Sequence, residues 1–556
     1  VASDLLYKRK RLYEYTHYHI EVEVFFLTNR KRLHLLVVLV LVLSAFLAAC
    51  GGNSENQTAN NGENRGQQGE EEGNEAAFEF SYFMPTQYAN WLRDKEWLPI
   101  LEERTNTKVD IQDGGNGDQY YNNVDLRIGG QNFTDTGIVN LTQANVYGTQ
   151  GAFVDLKPII DEHAPNLKRY IEENPEYENL ITSDDGAIYG IIAEYPKIAE
   201  VILYREDMFE KAGIESLPRT IEQFTDVLRT LKAHYGANDP NFYPYMGREG
   251  FIKFTEVFNA ADGIRDGKVH GIYQNGRGFN IYDPGFKELV EWHKTLYDEG
   301  LIDPEWVAGA ASEESWQTKM LNGKGAISYD YYTRPVWFMQ NGGPENDPDY
   351  SMNVIPYLLD TDGNQSKVPL YFPQYRTDRM MVVNASAADK AEGVIKFLDY
   401  LYSEEGQELV TWGIEGETYE VVDGEKQYII PFSETFKPIG EKRWDFVNDQ
   451  LHFPKPVDNE AFYKWNEPLV QQYASELFTD EYLNPLPVLK YTTEQMKERT
   501  SLLSQVEPAV LSNVVKFVTG DRPMSEWDSF LAEMESAGYK KIVEIDQAAY
   551  DAMQDE

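Results

Sequence analysis

Cysteine is nearly absent from this chain, with one among 556 residues. That excludes an intramolecular disulfide and any zinc site built on several thiolates. Basic charge is scarce too: 50 Lys and Arg stand against 92 Asp and Glu, a net charge of −42. Such a chain would repel phosphates rather than neutralise them, which argues against nucleic acid as a partner. Histidine is sparse, and those beyond residue 50 (His163, His234, His270, His293 and His452) stand isolated. No HExxH, GxSxG or P-loop pattern occurs, so metalloprotease, lipase-type and nucleotide-hydrolysing chemistry lack their signatures. A glycosidase needs only two facing carboxylates; the many acids leave that open but nominate no pair, and read more simply as a solvated surface. Asp360-Thr361-Asp362-Gly363-Asn364 is dense in oxygen but lacks the EF-hand spacing and its late Glu, and reads as a turn; no metal or other cofactor is expected. What the chain does have is 42% hydrophobic residues, enough for real cores. Its length suggests about three to four domains or two large lobes. Aromatics are plentiful, with 37 Tyr, 27 Phe and 10 Trp.

The lone cysteine carries much information. Arg30-Lys31-Arg32, an apolar run over 33–49 and small residues before Gly51 form a secretory signal pattern. The run is marginal in length for a membrane-spanning helix. Leu47-Ala48-Ala49-Cys50-Gly51 resembles the lipobox of bacterial lipoproteins, in which the cysteine becomes the first residue and its thiol carries diacylglycerol. Residues 1–49 are therefore expected to be a signal peptide, with 1–28 an extension from a misassigned upstream start. Residues 50–77 are expected to be the lipidated Cys50 and a linker of Gly, Asn, Gln, Glu and Ser, too polar to bury anything. The folded part would then sit outside the cytoplasmic membrane.

From Phe78 onward, strand and helix patterns alternate. Residues 78–83 alternate like a first strand, 91–104 read as a helix, 108–111 as a strand, 120–128 as a helix and 137–139 as a strand. This rhythm predicts an α/β fold with a parallel sheet. Further strands are expected at 201–204, 325–329 and 380–383, and helices at 221–234, 286–299 and 388–402. Thr220 is placed as an N-cap, with Gln223 completing a capping box. The last seventy or so residues read as helices at 493–517, 524–537 and 547–553. No internal repeat is visible.

Several segments together resemble the extracellular solute-binding proteins of bacterial ABC importers, family 1, in the large lipoprotein branch of Bacillus- and Paenibacillus-like bacteria. They include Leu203-Tyr204-Arg205-Glu206-Asp207-Met208-Phe209 with Ala212-Gly213-Ile214, and Lys294-Thr295-Leu296-Tyr297-Asp298-Glu299-Gly300-Leu301-Ile302-Asp303-Pro304-Glu305. Trp412-Gly413-Ile414-Glu415-Gly416-Glu417-Thr418-Tyr419 and Phe517-Val518-Thr519-Gly520 follow. Phe133-Thr134-Asp135-Thr136 departs from the Leu-Pro-Asp type of turn expected there. The resemblance implies a two-lobe periplasmic-binding-protein-like fold of type II, with an interlobe ligand cleft and a helical C-terminal extension. It implies lobe 1 from 78–195, lobe 2 from 196–370, a return to lobe 1 over 371–403, and completion of lobe 2 with C-terminal helices over 404–556. Crossings are expected near 194–199 and 370–379.

For function, the resemblance implies a lipid-anchored binding protein on the outer face of a Gram-positive-type membrane. It would hand an oligosaccharide or glycoside to ABC permease subunits, without catalysis and as a monomer. Sugars need aromatic rings for their C–H faces and Asp, Glu, Asn, Gln or Arg for their hydroxyls. Asp330, Tyr331, Tyr332 and Trp337 follow a strand, and ligands sit beyond strand carboxyl ends in open α/β sheets. Tyr375 and Arg376 lie at the second crossing, while Tyr82, Met84 and Gln87 follow the first strand. Trp412 and Glu415 belong to a family signature, and Tyr243 and Tyr245 to an aromatic loop. Arg205 and Asp207 read as a structural ion pair. The alternatives are a peptide-binding or sensor lipoprotein and, from another class, a secreted polysaccharide-degrading enzyme.

Overall fold

Alternating aromatic residues open the folded part. In β1 (Phe78–Met84), Phe80, Tyr82 and Met84 project to one side and Phe83 to the other, and all four are buried. The computed structural model describes residues 77–555 apart from 94, 96, 248–252, 261–263, 266–267, 275–276, 309–312 and 430–451. The chain divides into Val1–Glu75 and Ala76–Glu556, and the signal segment, Cys50 and most of the linker lie outside the described residues. Among the described residues no helix is long and apolar enough to cross a membrane.

Two sheets organise the second unit. The first contains β1, β2 (Thr107–Asp113), β3 (Thr136–Val139), β4 (Gly190–Glu194) and a long later strand at Tyr375–Val383. The second contains β5 (Val201–Arg205), β6 (Ile327–Asp330) and β7 (Met352–Ile355), with β5 in the middle and both neighbours antiparallel to it. Calling Tyr375–Val383 β8, the first sheet runs β2-β1-β3-β8-β4. β1 pairs parallel with β2 and β3, whereas β8 is antiparallel to both β3 and β4. The expectation of a parallel sheet thus holds for the strands linked by helical crossovers and fails at β8. That strand enters from the other sheet rather than from a helix packed on this one, so nothing obliges it to run with its neighbours.

Each sheet has its own core. Phe80, Trp97, Leu101, Val124 and Phe397 pack with the first, and Phe224, Phe254, Phe286 and Phe517 with the second. The helix Thr493–Thr519 buries Val506, Val510, Val514, Phe517 and Val518, a stripe at helical spacing against that second core. The predicted helix over 91–104 is two, Thr86–Arg93 and Trp97–Thr105. Pro99 explains the restart, since proline is tolerated in a first turn and not in a helix interior. Thr220 does accept from the Gln223 amide, but the Gln223 side chain takes the Arg219 amide instead of closing the expected box.

The assignment of 404–556 to lobe 2 needs correction. Helix Glu404–Thr411 follows helix Ala391–Leu401 so tightly that a Cβ on Gly406 would lie 1.9 Å from the Tyr400 carbonyl oxygen. Leu409 and Val410 therefore pack in the first core, as do Phe453 and Trp465. The helix Pro468–Leu477 joins a third cluster with Tyr195, Ile198, Tyr332 and Leu370.

Two of the passages between the lobes join strand to strand and lie side by side, while a third, after Trp465, leads to the helix Thr493–Thr519. Residues 195–200 leave β4 for β5, and the return from β7 ends where β8 begins. The Tyr195 amide donates to the Gln374 carbonyl at 2.8 Å, and the Tyr371 amide to the Ile198 carbonyl at 2.8 Å. At the start of the second sheet, Arg205 forks onto Asp207 through Nε at 2.7 Å and Nη2 at 2.8 Å, and both residues are buried. The Tyr350 ring lies 3.7 Å from the Arg205 guanidinium. Asp207→Ala is expected to destabilise the fold by about 1–3 kcal/mol, because the buried Arg205 loses its forked partner and keeps only the Asp347 carboxylate, at 3.1 Å. Lys168→Ala, at the exposed Lys168–Asp161 pair, should leave stability indistinguishable from wild type, because solvent screens the pair. Urea unfolding of the two variants checks both outcomes.

Candidate functional site

The strand β8 does not pair evenly. Arg376 opposes Ala193 and Met380 opposes Ile192, so residues 377–379 have no ladder partner on β4 and form a bulge. The bulge turns Asp378 and Arg379 out of the sheet beside the crossings. Arg376 donates to Asp378 from Nε at 2.8 Å and Nη2 at 2.7 Å, a bidentate fork. Its guanidinium lies 3.9 Å from the Phe372 ring centre and 5.2 Å from that of Tyr195. The Arg379 guanidinium lies 4.0 Å from the Tyr88 ring centre. Tyr121 donates its hydroxyl to the Asp378 carbonyl at 2.6 Å.

Aromatic rings continue this cluster toward the second sheet. The Tyr195 and Tyr331 hydroxyls are 3.4 Å apart, Tyr331 meets Tyr371 edge-on at 5.1 Å, and Tyr371 meets Phe372 at 4.5 Å. Tyr88 and Tyr121 come from helices of the first lobe, Tyr195, Tyr371 and Phe372 from the crossings, and Tyr331 from the loop after β6. Burial raises the Tyr331 and Tyr195 hydroxyls above their ordinary range. Yet Tyr331 and Tyr121 are only half-buried, and 43% of the Asp378 side chain stays accessible. These groups are crowded by protein and still reached by solvent, and they gather where the crossings meet the two sheets.

Of the residues nominated from sequence, Tyr331 and Arg376 lie in this cluster. Its flanking residues do not: Asp330 is 1% exposed and 3.3 Å from Arg334 Nε, and Tyr332 packs on Phe462 and Phe478. Side chains alternate about a strand end, so the residues either side of Tyr331 turn into the core. Tyr375 packs edge-on against Tyr177, Met84 is fully buried, and Tyr82 stacks on Phe453 while donating to the His452 carbonyl. Tyr245 belongs to the second core. Tyr243 sits beneath Lys232 at 4.6 Å, and Trp337 packs on Phe338. Trp412 stacks on Tyr428 at 4.6 Å, Glu415 is exposed in its turn, and Gln87 is exposed in the first turn of helix Thr86–Arg93. Tyr88, Tyr121, Tyr195, Tyr371, Phe372, Asp378 and Arg379 were not nominated. Tyr371 and Phe372 had a readable signal, an aromatic pair at the expected crossing, whereas a bulge leaves none.

Two buried networks stiffen the crossings. Lys253 Nζ lies 2.6 and 2.8 Å from the Glu200 carboxylate, and Tyr357 donates to the Glu200 carbonyl at 2.8 Å. At the other end, Glu194 closes β4 and accepts from the Tyr170 hydroxyl. Burial pushes its carboxyl from 4.5 up to about 8, against the opposing pull of the Val457 amide, Lys455 and Gln374. Among the described residues, no group of three His, Cys, Asp or Glu could hold a metal. Asp360 takes the amides of Asp362 and Asn364 at 2.9 and 2.8 Å, so the oxygen-rich segment there is a turn. A separate cavity of about 380 Å³, lined by Phe83, Asp113, Asn123, Leu126 and Arg127 among others, involves neither crossing.

Two α/β lobes, joined by paired crossings with an aromatic and charged cluster beside them, define a two-lobe solute-binding protein. The profile of bacterial extracellular solute-binding proteins matches residues 87–408, more than half of the chain, and the chain belongs to that family. It is accordingly a binding protein rather than an enzyme. A fructooligosaccharide ABC transporter substrate-binding protein of Streptococcus pneumoniae serotype 4 is 23% identical over 443 residues, 73% of this chain and 77% of its own. A polygalacturonan/rhamnogalacturonan-binding protein of Bacillus subtilis strain 168 is 20% identical over 534 residues, 93% of this chain and 98% of its own. The solved structure of the Streptococcus pneumoniae substrate-binding protein FusA in complex with kestose has a TM-score of 0.64 at 19% identity, covering 86% of this chain and 99% of that one.

Glu194 makes the crossing sensitive to pH. Its folded form keeps the proton up to about pH 8, whereas the unfolded chain releases it from about pH 4.5. The contribution of Glu194 to stability is therefore lost progressively as pH rises from about 4.5 to 8 and is level on either side. Glu194→Gln is expected to remove that loss, so the Tm of the variant relative to wild type climbs between about pH 5 and 8. Thermal unfolding across that range checks it, and a gap that does not change with pH would show Glu194 ionised in the fold.

Proposed function

We propose that this protein is the substrate-binding component of an ABC importer, anchored to the outer face of the cell membrane by lipid on Cys50. It captures an oligosaccharide or glycoside in a cleft between its lobes and presents it to the permease. The observation that carries this reading is the meeting of Tyr88, Tyr195, Tyr331 and Tyr371 with Arg376, Asp378 and Arg379 where the chain crosses between lobes. Rings cover the C–H faces of sugars, while guanidinium and carboxylate groups bond hydroxyls. Closure about the crossings would turn occupancy into a shape that a permease reads. The sugar ligands named for the pneumococcal and B. subtilis relatives support the same class. The lipobox-like Leu47-Ala48-Ala49-Cys50-Gly51 and the polar stretch after it support a tethered anchor.

Thermal shift and tryptophan fluorescence against fructo-, galacturono- and xylo-oligosaccharides, with peptides as controls, test the reading. A ligand at 100 times its Kd should add about 2.7 kcal/mol to the folded state and emerge unhydrolysed. Tyr331→Ala should weaken that binding by about 2- to 12-fold, the worth of one aromatic contact. A shift with peptides alone would favour the peptide-binding alternative, and cleaved glycans an enzyme. Cys50→Ser should release the protein into the medium; a variant that stays with the membrane would refute the lipid anchor.

A further inference from the structure

Among the described residues four arginines are buried: Arg205, Arg376, Arg379 and Arg499. Three of them are forked onto carboxylates. Arg205 holds Asp207, Arg376 holds Asp378, and Arg499 holds Asp546 with Nε at 2.6 Å. Arg379 is 7% exposed, and its Nε and Nη1 atoms are buried with no hydrogen-bond partner. The nearest carboxylate oxygen, Asp378 Oδ2, is 3.7 Å from Nε, beyond hydrogen-bond reach. Both oxygens of that carboxylate already accept from Arg376. Tyr88 supplies a cation–π contact, which serves the face of the guanidinium and leaves its N–H edge unserved.

A guanidinium carries five donors and stays charged at any physiological pH. Burying its donors unpaired is costly, so an orphan of this kind marks a partner that arrives from outside. The surroundings say what that partner is. Two guanidinium groups share one carboxylate at the bulge, which leaves a local excess of positive charge in a chain of net charge −42. A neutral hydroxyl would satisfy a donor and leave that excess. A carboxylate satisfies donors and charge together, and its two oxygens match the planar fork. Asp378, in ion-pair range of Arg379, keeps 43% of its side chain accessible, so solvent reaches the group next to the orphan guanidinium.

We infer that the solute is an acidic oligosaccharide, with the carboxylate of a uronic-acid unit as the partner of Arg379. This rests on the sugar-binding reading above and narrows it. Arg376, tied to Asp378, holds the bulge that presents Arg379 and is a positioning residue.

Calorimetric titration of the whole chain with trigalacturonate, its methyl ester and a neutral fructo-oligosaccharide tests the inference. The free acid is expected to bind about tenfold or more tighter than the ester, the worth of one charge-assisted hydrogen bond. Arg379→Gln should close the gap between acid and ester, and Arg379→Lys should keep part of it. Equal or tighter binding of the ester, or a gap that survives in Arg379→Gln, would overturn the inference. Should Arg379→Gln not fold, the acid–ester comparison on the wild type and Arg379→Lys decides. Binding of the neutral sugar alone would overturn this inference and leave the sugar reading standing. No binding of any sugar would overturn both.

Discussion

Everything in the described part depends on two short segments lying edge to edge, 195–200 and the stretch leading into Tyr375. Hydrogen bonds from Tyr195 to Gln374 and from Tyr371 to Ile198 hold them together. On either side stands a sheet with its own core, and a packed core does not deform smoothly. Any relative motion of the lobes would fall to the segments that link them rather than to the cores. Tyr195, Tyr371 and Phe372, which belong to neither sheet, meet one another at these crossings.

The antiparallel course of β8 follows from the same constraint. A chain returning from the second lobe enters the first sheet from the crossing end, against the direction in which β4 left it. Its first residues must serve as hinge and as strand at once. The bulge after Arg376 reconciles the two demands, keeping Tyr375 in the core while releasing Asp378 and Arg379. The fork from Arg376 to Asp378 spans the bulge and fixes its shape.

Much of the fold was legible because it rests on local pattern. The alternation in 78–84, the helical stripe after Thr493 and the Thr220 cap are properties of neighbouring residues. The direction of β8 was not legible, since a strand's own sequence does not say which partner lies beside it. Nor was the break before Trp97 taken, although Pro99 signalled it. At the site, the segment after β6 was found, yet only Tyr331 of its first three residues joins the cluster, because strand alternation needs a register that sequence leaves open. Tyr88 and Tyr121 were out of reach for a different reason. Each is one aromatic on an ordinary amphipathic helix, and only the three-dimensional meeting with the bulge distinguishes it.

The charge of the whole and the charge of the bulge pull in opposite directions. A net charge of −42 repels an acidic solute at long range. At physiological ionic strength that repulsion fades over about 8 Å, so it slows encounter more than it weakens contact. At the bulge the balance inverts, with two guanidinium groups, both buried, against one carboxylate. Under the proposal, selectivity would arise at contact, where a carboxylate meets both donors and charge and a neutral sugar meets donors alone. An acidic surface and the proposed acid-selective site are compatible because screening separates their ranges.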